Sequence, residues 1–329
     1  MRIEDIGRIE PYGVMIDAHV IPTSHGYISP IVFNSPRDAY PAYAIGDGVI
    51  VNVSHRGQFV GDNNNQGRVT DEYQMYFEHS CTFYSYYDLL TSLSPEIEAY
   101  VGKLTGFDQK QVRIPVKAGQ LVGRIGGQTV DFAVWNFKKE PAYFANPKSY
   151  TEGEDRFFLE DMFTYFQEPL KSQLLAKNVR VAEPRSGKVA YDIEGKLVGN
   201  WFREGSNGFQ GPPGIQNQLG RRYWDGHLSI SYDFIDPTQI KFSIGNFNGK
   251  VAQFSVVGNS PDPATIGVES GLIKYELISA TSPNTPSGLF MGTVLLELTK
   301  PAKLKLEIFP NQKSDEISGF TTSALIYER

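Results

Sequence analysis

The hydrophobic pattern of the first half of the chain predicts short β-strands. Between residues 12 and 136, short runs of Val, Ile, Tyr and Phe are separated by Gly, Asn, Asp and Pro, which favour turns. Residues 72–77 and 82–87 have the composition of the two arms of a β-hairpin, and the polar residues near Ser80 mark its turn. This half is therefore expected to be mostly β.

Helix signals are concentrated in the middle of the chain. Ser94 followed by Pro95 predicts a short helix, because serine caps a helix N-terminus and proline is tolerated in its first turn. Residues 157–177 form a longer helical candidate, with apolar side chains at three- and four-residue spacings: Phe158, Leu159, Met162, Phe163 and Phe166. Pro169 should break this helix into two short ones that connect the halves of the chain.

Beyond residue 181 the pattern returns to strands. Turn residues separate nine candidate segments: 188–193, 197–202, 227–234, 239–244, 251–257, 271–278, 292–298, 302–309 and 321–327. Residues 228–232 and 303–308 alternate apolar with polar side chains, as half-buried antiparallel strands do. This spacing predicts an antiparallel β-sandwich or barrel.

Composition supports two domains of this kind. A chain of 329 residues is too long for one ordinary core, and 40% hydrophobic residues are enough to fill two. The 18 Tyr, 32 Gly and 20 Pro favour strands and tight turns over helical bundles. We predict a β domain over residues 1–150, a helical connector over 151–180 and a β-sandwich or barrel over 181–329.

The charge and cysteine content exclude several classes of partner and site. The formal net charge is −6 and no stretch gathers Lys and Arg, whereas a nucleic-acid-binding surface needs cations, so no nucleic acid is expected as a partner. The single cysteine, Cys81, permits neither an intramolecular disulfide nor a cysteine-based zinc cluster. No apolar run is long enough to span a bilayer.

The first residues, MRIEDIGRIEPYG, lack the basic and apolar regions of a signal peptide. We expect an exported protein, periplasmic or extracellular, whose signal peptide is absent from this chain. The alternative is a cytoplasmic protein.

Four segments of the first half form an ordered set of motifs: YAIGDGVI (43–50), EHSCTFYSYYDL (78–89), VKAGQLVGRIGG (116–127) and VDFAV (130–134). In this order they resemble lysostaphin-type (LytM-like) peptidases. That family carries V-x-A-x-x-D-G-x-V, a hairpin ending in Y-x-H-L, V-x-x-G-Q-x-I-G-x-x-G, and then H-L-H-F-E-V. The resemblance covers about residues 19–136 and implies a barrel-sandwich-hybrid fold for this mostly β half.

The resemblance implies a peptidase that cuts bacterial cell-wall cross-links with one zinc ion. In the family, H-x-x-x-D and the second His of H-x-H hold the zinc, and the remaining two His assist at the water and the oxyanion. Carried onto this chain, His25 is kept and Ser29 replaces the Asp. Asp131 stands in place of the ligating His, Thr129 in place of the first His of H-x-H, and Asp88 in place of the His of Y-x-H-L. Catalytic zinc needs three protein ligands and an open position, so these positions supply too few.

His19 is the candidate for the missing ligand. It lies six positions before His25 in HVIPTSH, and an extended chain returns both side chains to one face. This segment and VDFAV resemble a divergent lysostaphin-like group with H-V-x-P-T-x-H and L-D-F-x-V. We hypothesise a zinc site of His19, His25 and Asp131, with Asp88 as a catalytic group near the water. The alternative is that both histidines are hydrogen-bonded loop residues and that Asp131 makes a structural hydrogen bond.

Aromatic residues of the second half suggest a sugar or apolar ligand site, since aromatic faces stack on both: Trp201, Trp224, Tyr223, Phe209 and Phe202. We favour the alternative that they fill a core. Residues 199–202, GNWF, resemble the G-x-W near the first strand of lipocalin-like barrels.

Three functions are compatible with this sequence. The first is a divergent zinc metallopeptidase acting on cell-wall peptides. The second is a catalytically inactive relative that binds cell-wall peptide or glycan, or regulates another wall enzyme. We weigh these two about equally, and place behind them a small-ligand-binding protein that acts through its C-terminal β domain.

Overall fold

The computed structural model describes residues 1–60, 69–150, 154–211, 223–281 and 285–329. Contacts divide the chain into two compact units. Unit 1 consists of Met1–Pro11, Ser24–Pro141 and Phe158–Ser186, and unit 2 of Tyr12–Thr23, Ala142–Phe157 and Gly187–Arg329. Each unit is therefore assembled from segments that are distant in sequence, and much of the predicted connector belongs to unit 1.

Unit 1 is mostly β. Its strands are β1 (Ile6–Glu10), β2 (Gly26–Pro30), β3 (Tyr40–Tyr43), β4 (Gly48–Val60), β5 (Val69–Ser80), β6 (Phe83–Leu90), β7 (Ser92–Leu93), β8 (Gln109–Val116), β9 (Leu121–Ile125) and β10 (Val130–Asn136). The large sheet has the order β1-β2-β10-β6-β5-β4-β8, and the small sheet the order β3-β9-β7. The predicted hairpin is confirmed as β5 and β6, which turn at Cys81 and Thr82.

Alternation along the strands gives the large sheet two different faces. Phe132 lies opposite Tyr87 across β10 and β6, and Val53 lies opposite Met75 across β4 and β5; all four are buried in the apolar core. The residues between them point to the other face, which we call the polar face. It carries the candidate site.

The short helix predicted after Ser94 is confirmed as α1 (Pro95–Val101), whose Ile97 N–H donates to the Ser94 hydroxyl at 3.4 Å. The second α-helix is α2 (Leu170–Lys177). Short 3-10 helices span Ile3–Asp5, Pro147–Tyr150, Glu154–Phe158, Gly208–Gln210, Tyr223–Gly226, Val257–Asn259, Val268–Ser270 and Ser314–Glu316. Among the described residues, no helix has the length and apolar character needed to cross a membrane.

The helix predicted over residues 157–177 is wrong before Pro169. Leu159 forms a β-bridge with Trp135 and the Glu160 N–H donates to the Val134 carbonyl, so the chain here runs along β10. The apolar spacing that suggested a helix instead buries Met162 and Phe163 from an irregular segment. Backbone hydrogen bonding to β10 takes the place of the bonds that a helix would make here. The α-helix of this region begins only after Pro169.

Unit 2 contains a closed antiparallel barrel. Its strands are β11 (Gly199–Arg203), β12 (His227–Tyr232), β13 (Ile240–Phe247), β14 (Lys250–Val256), β15 (Ile273–Thr281), β16 (Thr285–Lys300), β17 (Lys303–Pro310) and β18 (Leu325–Glu328). Each strand pairs with the next, and β18 pairs back with β11. The prediction of a sandwich or barrel is thus confirmed as a barrel.

One predicted strand, residues 188–193, is a loop. The Asp192 carboxylate accepts hydrogen bonds from the backbone N–H groups of Ala145 and Asn200, both at 2.9 Å. The segment is therefore held by hydrogen bonds to the Asp192 side chain, and not by the backbone hydrogen bonds of a β-ladder. Its apolar residues Val189 and Tyr191 are nevertheless buried, which explains the strand-like pattern.

The barrel interior is a packed core to which every strand from β11 to β18 contributes. Trp201 on β11 is fully buried there, and the Arg329 guanidinium lies 4.0 Å from its ring centre. Phe202 is also buried. Trp201 is therefore a residue of the barrel core, as favoured from the sequence, and Phe202 is buried outside that cluster, against Tyr150 and His227.

Residues 228–232 were expected to be half-buried, and this is wrong. Ser229 and Ser231 are fully buried on the face opposite the core. The Ser231 hydroxyl donates to the Met15 sulfur at 3.6 Å, and Gln253 on β14 donates to the Asp17 carbonyl at 3.0 Å. The segment Tyr12–Thr23 thus covers serines that the alternation alone assigns to solvent.

Candidate functional site

The polar face of unit 1 brings together side chains from five neighbouring strands of the large sheet. Tyr27 on β2 lies opposite Asp131 on β10, and Asp131 lies opposite Asp88 on β6. Gln74 on β5 lies opposite Ser54 on β4 in the adjoining rows. Cross-strand partners have their Cβ atoms about 5 Å apart, so the sheet register itself assembles this site.

His25, Tyr27 and Asp131 converge at one end of the face. His25 directly precedes β2, and its Nε2 lies 3.1 Å from the Tyr27 hydroxyl and 3.5 Å from Asp131 Oδ2. The side chains of His25 and Asp131 are 17% and 10% exposed. One imidazole nitrogen, one phenol oxygen and one carboxyl oxygen therefore lie close together at a place that is partly accessible to solvent.

Asp131 is buried without full hydrogen bonding. Among the residues that the structure describes, its Oδ1 has no hydrogen-bond partner, although buried polar atoms are normally paired. Burial raises the pKa of Asp131 well above its usual range, and the nearby Asp88 and Glu72 carboxylates add to this while Arg56 opposes it. The carboxyl group is thus held in a place that lacks a partner for one of its oxygens.

Asp88 has a different environment. Its carboxylate pairs with the Arg56 guanidinium, and it accepts hydrogen bonds from Gln74 Nε2 at 3.0 Å and the Leu89 N–H at 2.7 Å. Burial raises the pKa of Asp88, and these three donors oppose that rise. Leu89 has a φ of 68°, which leucine rarely adopts, so the backbone is strained beside this carboxylate.

Aromatic rings occupy the neighbouring part of the polar face. Tyr76, Tyr86 and Trp135 are in mutual contact, with ring centres 5.1–6.0 Å apart. The Trp135 indole N–H and the Asn52 side-chain amide nitrogen are buried and have no hydrogen-bond partner within the described part of the chain. Asn52 lies opposite Tyr76, which lies opposite Tyr86, so both donors belong to this aromatic cluster.

The structure brings together only some of the site residues that were expected from the sequence. His25 and Asp131 are adjacent, and Asp88 lies across from Asp131. His19 belongs to the segment Tyr12–Thr23 of unit 2, so the set of His19, His25 and Asp131 stays a prediction. In the part of the chain that the structure describes, no group of three or more His, Cys, Asp or Glu side chains is arranged to hold a metal.

Sequence reasoning missed Tyr27, Asn52, Arg56 and Trp135. A signal was present in residues 48–56, where Asn52, Ser54 and Arg56 alternate with apolar or buried positions and mark one polar face of a strand. What the chain did not reveal is which strands lie side by side. Arg56 reaches Asp88 only because β4, β5 and β6 are neighbours in the sheet.

Comparisons with known proteins identify no family for this chain. No protein-family model matches it, and no curated protein matches it. A solution structure of lysostaphin is among the similar solved structures. The match covers 99% of this chain and 89% of the lysostaphin chain, with 12% sequence identity and a TM-score of 0.25. A likeness at this level establishes neither a family nor an activity.

Proposed function

We propose that the polar face of unit 1 binds an extended peptide or amino-sugar chain of the bacterial cell wall, without cleaving it. The supporting observation is the pair of buried, unpartnered donors, Asn52 Nδ2 and Trp135 Nε1, beside the aromatic cluster. Both atoms can only donate, so their natural partners are acceptors such as amide carbonyl oxygens. The bacterial cell wall as the source of the ligand follows from the resemblance of residues 43–134 to lysostaphin-type motifs.

The cost of these donors favours a binding role. An unpaired buried donor costs about 1–3 kcal/mol. A ligand carbonyl would offset this cost once the surrounding side chains move to admit it, because both donor atoms are themselves buried. Tyr27, Tyr76 and Tyr84 on the same face are only partly buried, so a ligand has access to its edge. Aromatic rings also contact the apolar faces of sugars and peptides.

The test is co-sedimentation of the protein with purified cell-wall sacculi, followed by calorimetry with soluble peptide and N-acetyl-amino-sugar oligomers. Trp135→Phe and Asn52→Leu remove the unpartnered donors while keeping bulk. We expect both variants to fold with equal or greater stability and to bind at least about tenfold more weakly, since a lost hydrogen bond of about 1.4 kcal/mol has that effect.

Trp224→Phe, in unit 2, is the matched control and should bind as the wild type does. Unchanged binding by both polar-face variants, or no binding by the wild type, would refute the proposal. The two ligand series separate a peptide from a glycan.

A second candidate is zinc-dependent hydrolysis in the same place. The 3.5 Å separation of His25 Nε2 and Asp131 Oδ2 favours it, because two ligands of one zinc ion lie about this far apart. His19 would be the third ligand expected from the sequence, and Asp88 the group near the water. The measurement is the zinc content of protein purified without chelator, beside His25→Ala. About one zinc per chain, lost in the variant, supports this candidate, and no zinc after reconstitution refutes it.

A further inference from the structure

Unit 1 contains a cavity of about 450 Å³ that is partly open to solvent. All of the residues that line it belong to this unit. Ile28 on β2 and Tyr87 on β6 line it from the large sheet. Their chain neighbours Tyr27 and Asp88 point to the polar face, so Ile28 and Tyr87 point to the core side. The cavity is therefore separate from the polar face.

The wall of this cavity is mostly aliphatic. Leu170 and Leu174 lie one turn apart on α2, which places both side chains on one face of the helix. Ile3, Ile6 and Ile45 add branched side chains from the start of the chain and from the loop before β4. Leu170 is 41% exposed although it is apolar. An apolar ligand in the cavity would remove part of this surface from water.

The volume of the cavity indicates the size of such a ligand. Protein interiors contain few voids larger than a water molecule, so a cavity of this size is more than a packing irregularity. An apolar cavity of about 150 Å³ accommodates one benzene molecule. A cavity of about 450 Å³ accommodates about three times as many carbon atoms, which corresponds to a chain of about 12–18 carbons. A flexible chain can follow an aliphatic wall, whereas flat ring systems are held best by aromatic faces.

Arg2 is the charged side chain among the described residues that line the cavity. Its Nε donates to Asp5 Oδ2 at 2.9 Å and lies 3.8 Å from Glu4 Oε1, so these contacts do not occupy the two terminal amino groups. The side chain is 58% exposed and can therefore meet the polar end of a ligand. A guanidinium binds a carboxylate through two parallel N–H groups. Because Glu4 and Asp5 share this cation, its attraction for an anion should be modest.

We propose that this cavity binds one long-chain fatty acid, with the alkyl chain against the aliphatic wall and the carboxylate beside Arg2. Removal of the chain from water supplies most of the affinity, since each buried methylene group raises it up to about fourfold. This inference goes beyond the proposed function. It concerns the opposite side of the large sheet and does not depend on binding of a wall polymer.

The test is a fluorescence titration of the full chain with cis-parinaric acid, a fatty acid whose emission rises in an apolar site. Saturated acids of increasing length, each below its critical micelle concentration, then displace it. We expect one site per chain. Affinity should rise with each added methylene group and level off at about 12–18 carbons, where the chain fills the cavity.

Two variants that fill the cavity test its location. Leu170→Trp and Ile45→Trp should each weaken binding at least about tenfold, which is the loss expected when about two methylene groups are excluded. Leu272→Trp is the matched control, because Leu272 is a leucine of similar exposure, 48%, that does not line the cavity. It should bind as the wild type does. Circular dichroism and urea unfolding verify that each variant is folded.

The position of the head group has its own variant. Arg2→Met should weaken binding of the acid about threefold, and more than it weakens binding of the alcohol of the same length, as expected for an exposed ion pair. Equal effects on the acid and the alcohol would overturn the placement of the carboxylate.

The whole inference is overturned if the wild type shows no saturable one-to-one binding, if both filled variants fold and keep full affinity, or if Leu272→Trp loses it. Binding to phospholipid vesicles without binding of the monomeric acid would also overturn it. Sacculus binding is measured separately, so failure of this inference and failure of the proposed function are distinguishable.

Discussion

Asp88 and Asp131 are cross-strand partners, yet their surroundings give them opposite chemical character. Asp88 has a guanidinium, an amide and a backbone N–H around its carboxylate, whereas one oxygen of Asp131 accepts no hydrogen bond from any described residue. The hydrogen-bonding capacity of Asp88 is thus satisfied within the protein. The carboxyl group of Asp131 still has an oxygen that a ligand could pair with. Neighbouring carboxylates with different environments commonly have different roles in a site.

Removal of Arg56 should destabilise unit 1 through Asp88. Arg56→Met keeps the aliphatic stem but leaves a buried carboxylate with two weaker donors. Breaking a buried pair costs about 3–5 kcal/mol, and we expect about 1–3 kcal/mol because the Arg56 side chain is 45% exposed. Urea unfolding measures the loss.

Two controls accompany this measurement. Arg113→Met breaks an ion pair with Glu78 whose arginine is 67% exposed, and it should change the free energy of unfolding by at most about 0.5 kcal/mol. The double variant Arg56→Met with Asp88→Asn should recover most of the loss. Equal losses for the two single arginine variants would contradict this account.

His227 should make unit 2 sensitive to acid. It is buried, and its Nε2–H donates to the Phe209 carbonyl at 2.9 Å. Burial, assisted by Arg156, lowers the pKa of His227 to about 4, while the backbone carbonyls of Phe209 and Gly208 act in the opposite direction. An unfolded chain binds this proton below about pH 6.5, and the folded protein only below about pH 4.

The contribution of His227 to the free energy of unfolding should therefore be fully present above pH 6.5 and be lost as the pH drops from 6.5 to 4. One pKa unit corresponds to 1.36 kcal/mol, so the loss from this residue is about 3 kcal/mol. Denaturant unfolding at several pH values measures it. In His227→Gln this contribution should disappear. If the wild type and the variant lose stability in parallel over this interval, another group is responsible.

At the scale of elements, the glycine-rich segment 116–127 shows why a sequence motif can specify local structure. Gly119 has a φ of 79° in the turn before β9, a conformation that other residues rarely adopt. A Cβ on Gly123 would lie 2.6 Å from the Ser92 carbonyl oxygen of the paired strand β7. A Cβ on Gly126 would overlap the Pro36 carbonyl oxygen. Turns and close strand approach thus require glycine here.

Gly126→Ala should accordingly destabilise unit 1 by about 1–3 kcal/mol, because backbone must move to admit the methyl group. Gly319→Ala is the control and should be nearly neutral, since no atom of the described residues, apart from its chain neighbours, lies within 4 Å of its Cβ position. Thermal or urea unfolding of both variants gives the comparison. A neutral Gly126→Ala would mean that the loop at Pro36 is easily displaced.

Elements were predictable where local signals agree with the packing. Hairpin β5–β6, helix α1 and the barrel strands β11 to β18 were all expected from turn residues, capping and β-branched runs. The helix expected over residues 157–168 and the strand over 188–193 failed for one reason. In both segments contacts from distant residues, Val134 and Trp135 in one and Ala145 in the other, determined the backbone conformation.

At the scale of the whole molecule, the sequence determined the mostly β class, an antiparallel sandwich or barrel in the second half, and the order of the motifs; only the tertiary structure decided for the barrel. Those three features follow from alternation, turn residues and composition, which are local properties. It also identified His25, Asp131 and Asp88 as candidates. Only the tertiary structure decided that Tyr12–Thr23 belongs to unit 2, that Arg56 neutralises Asp88, and that Tyr27 faces Asp131. Those facts depend on which strands become neighbours, and strand pairing joins residues that no local pattern relates.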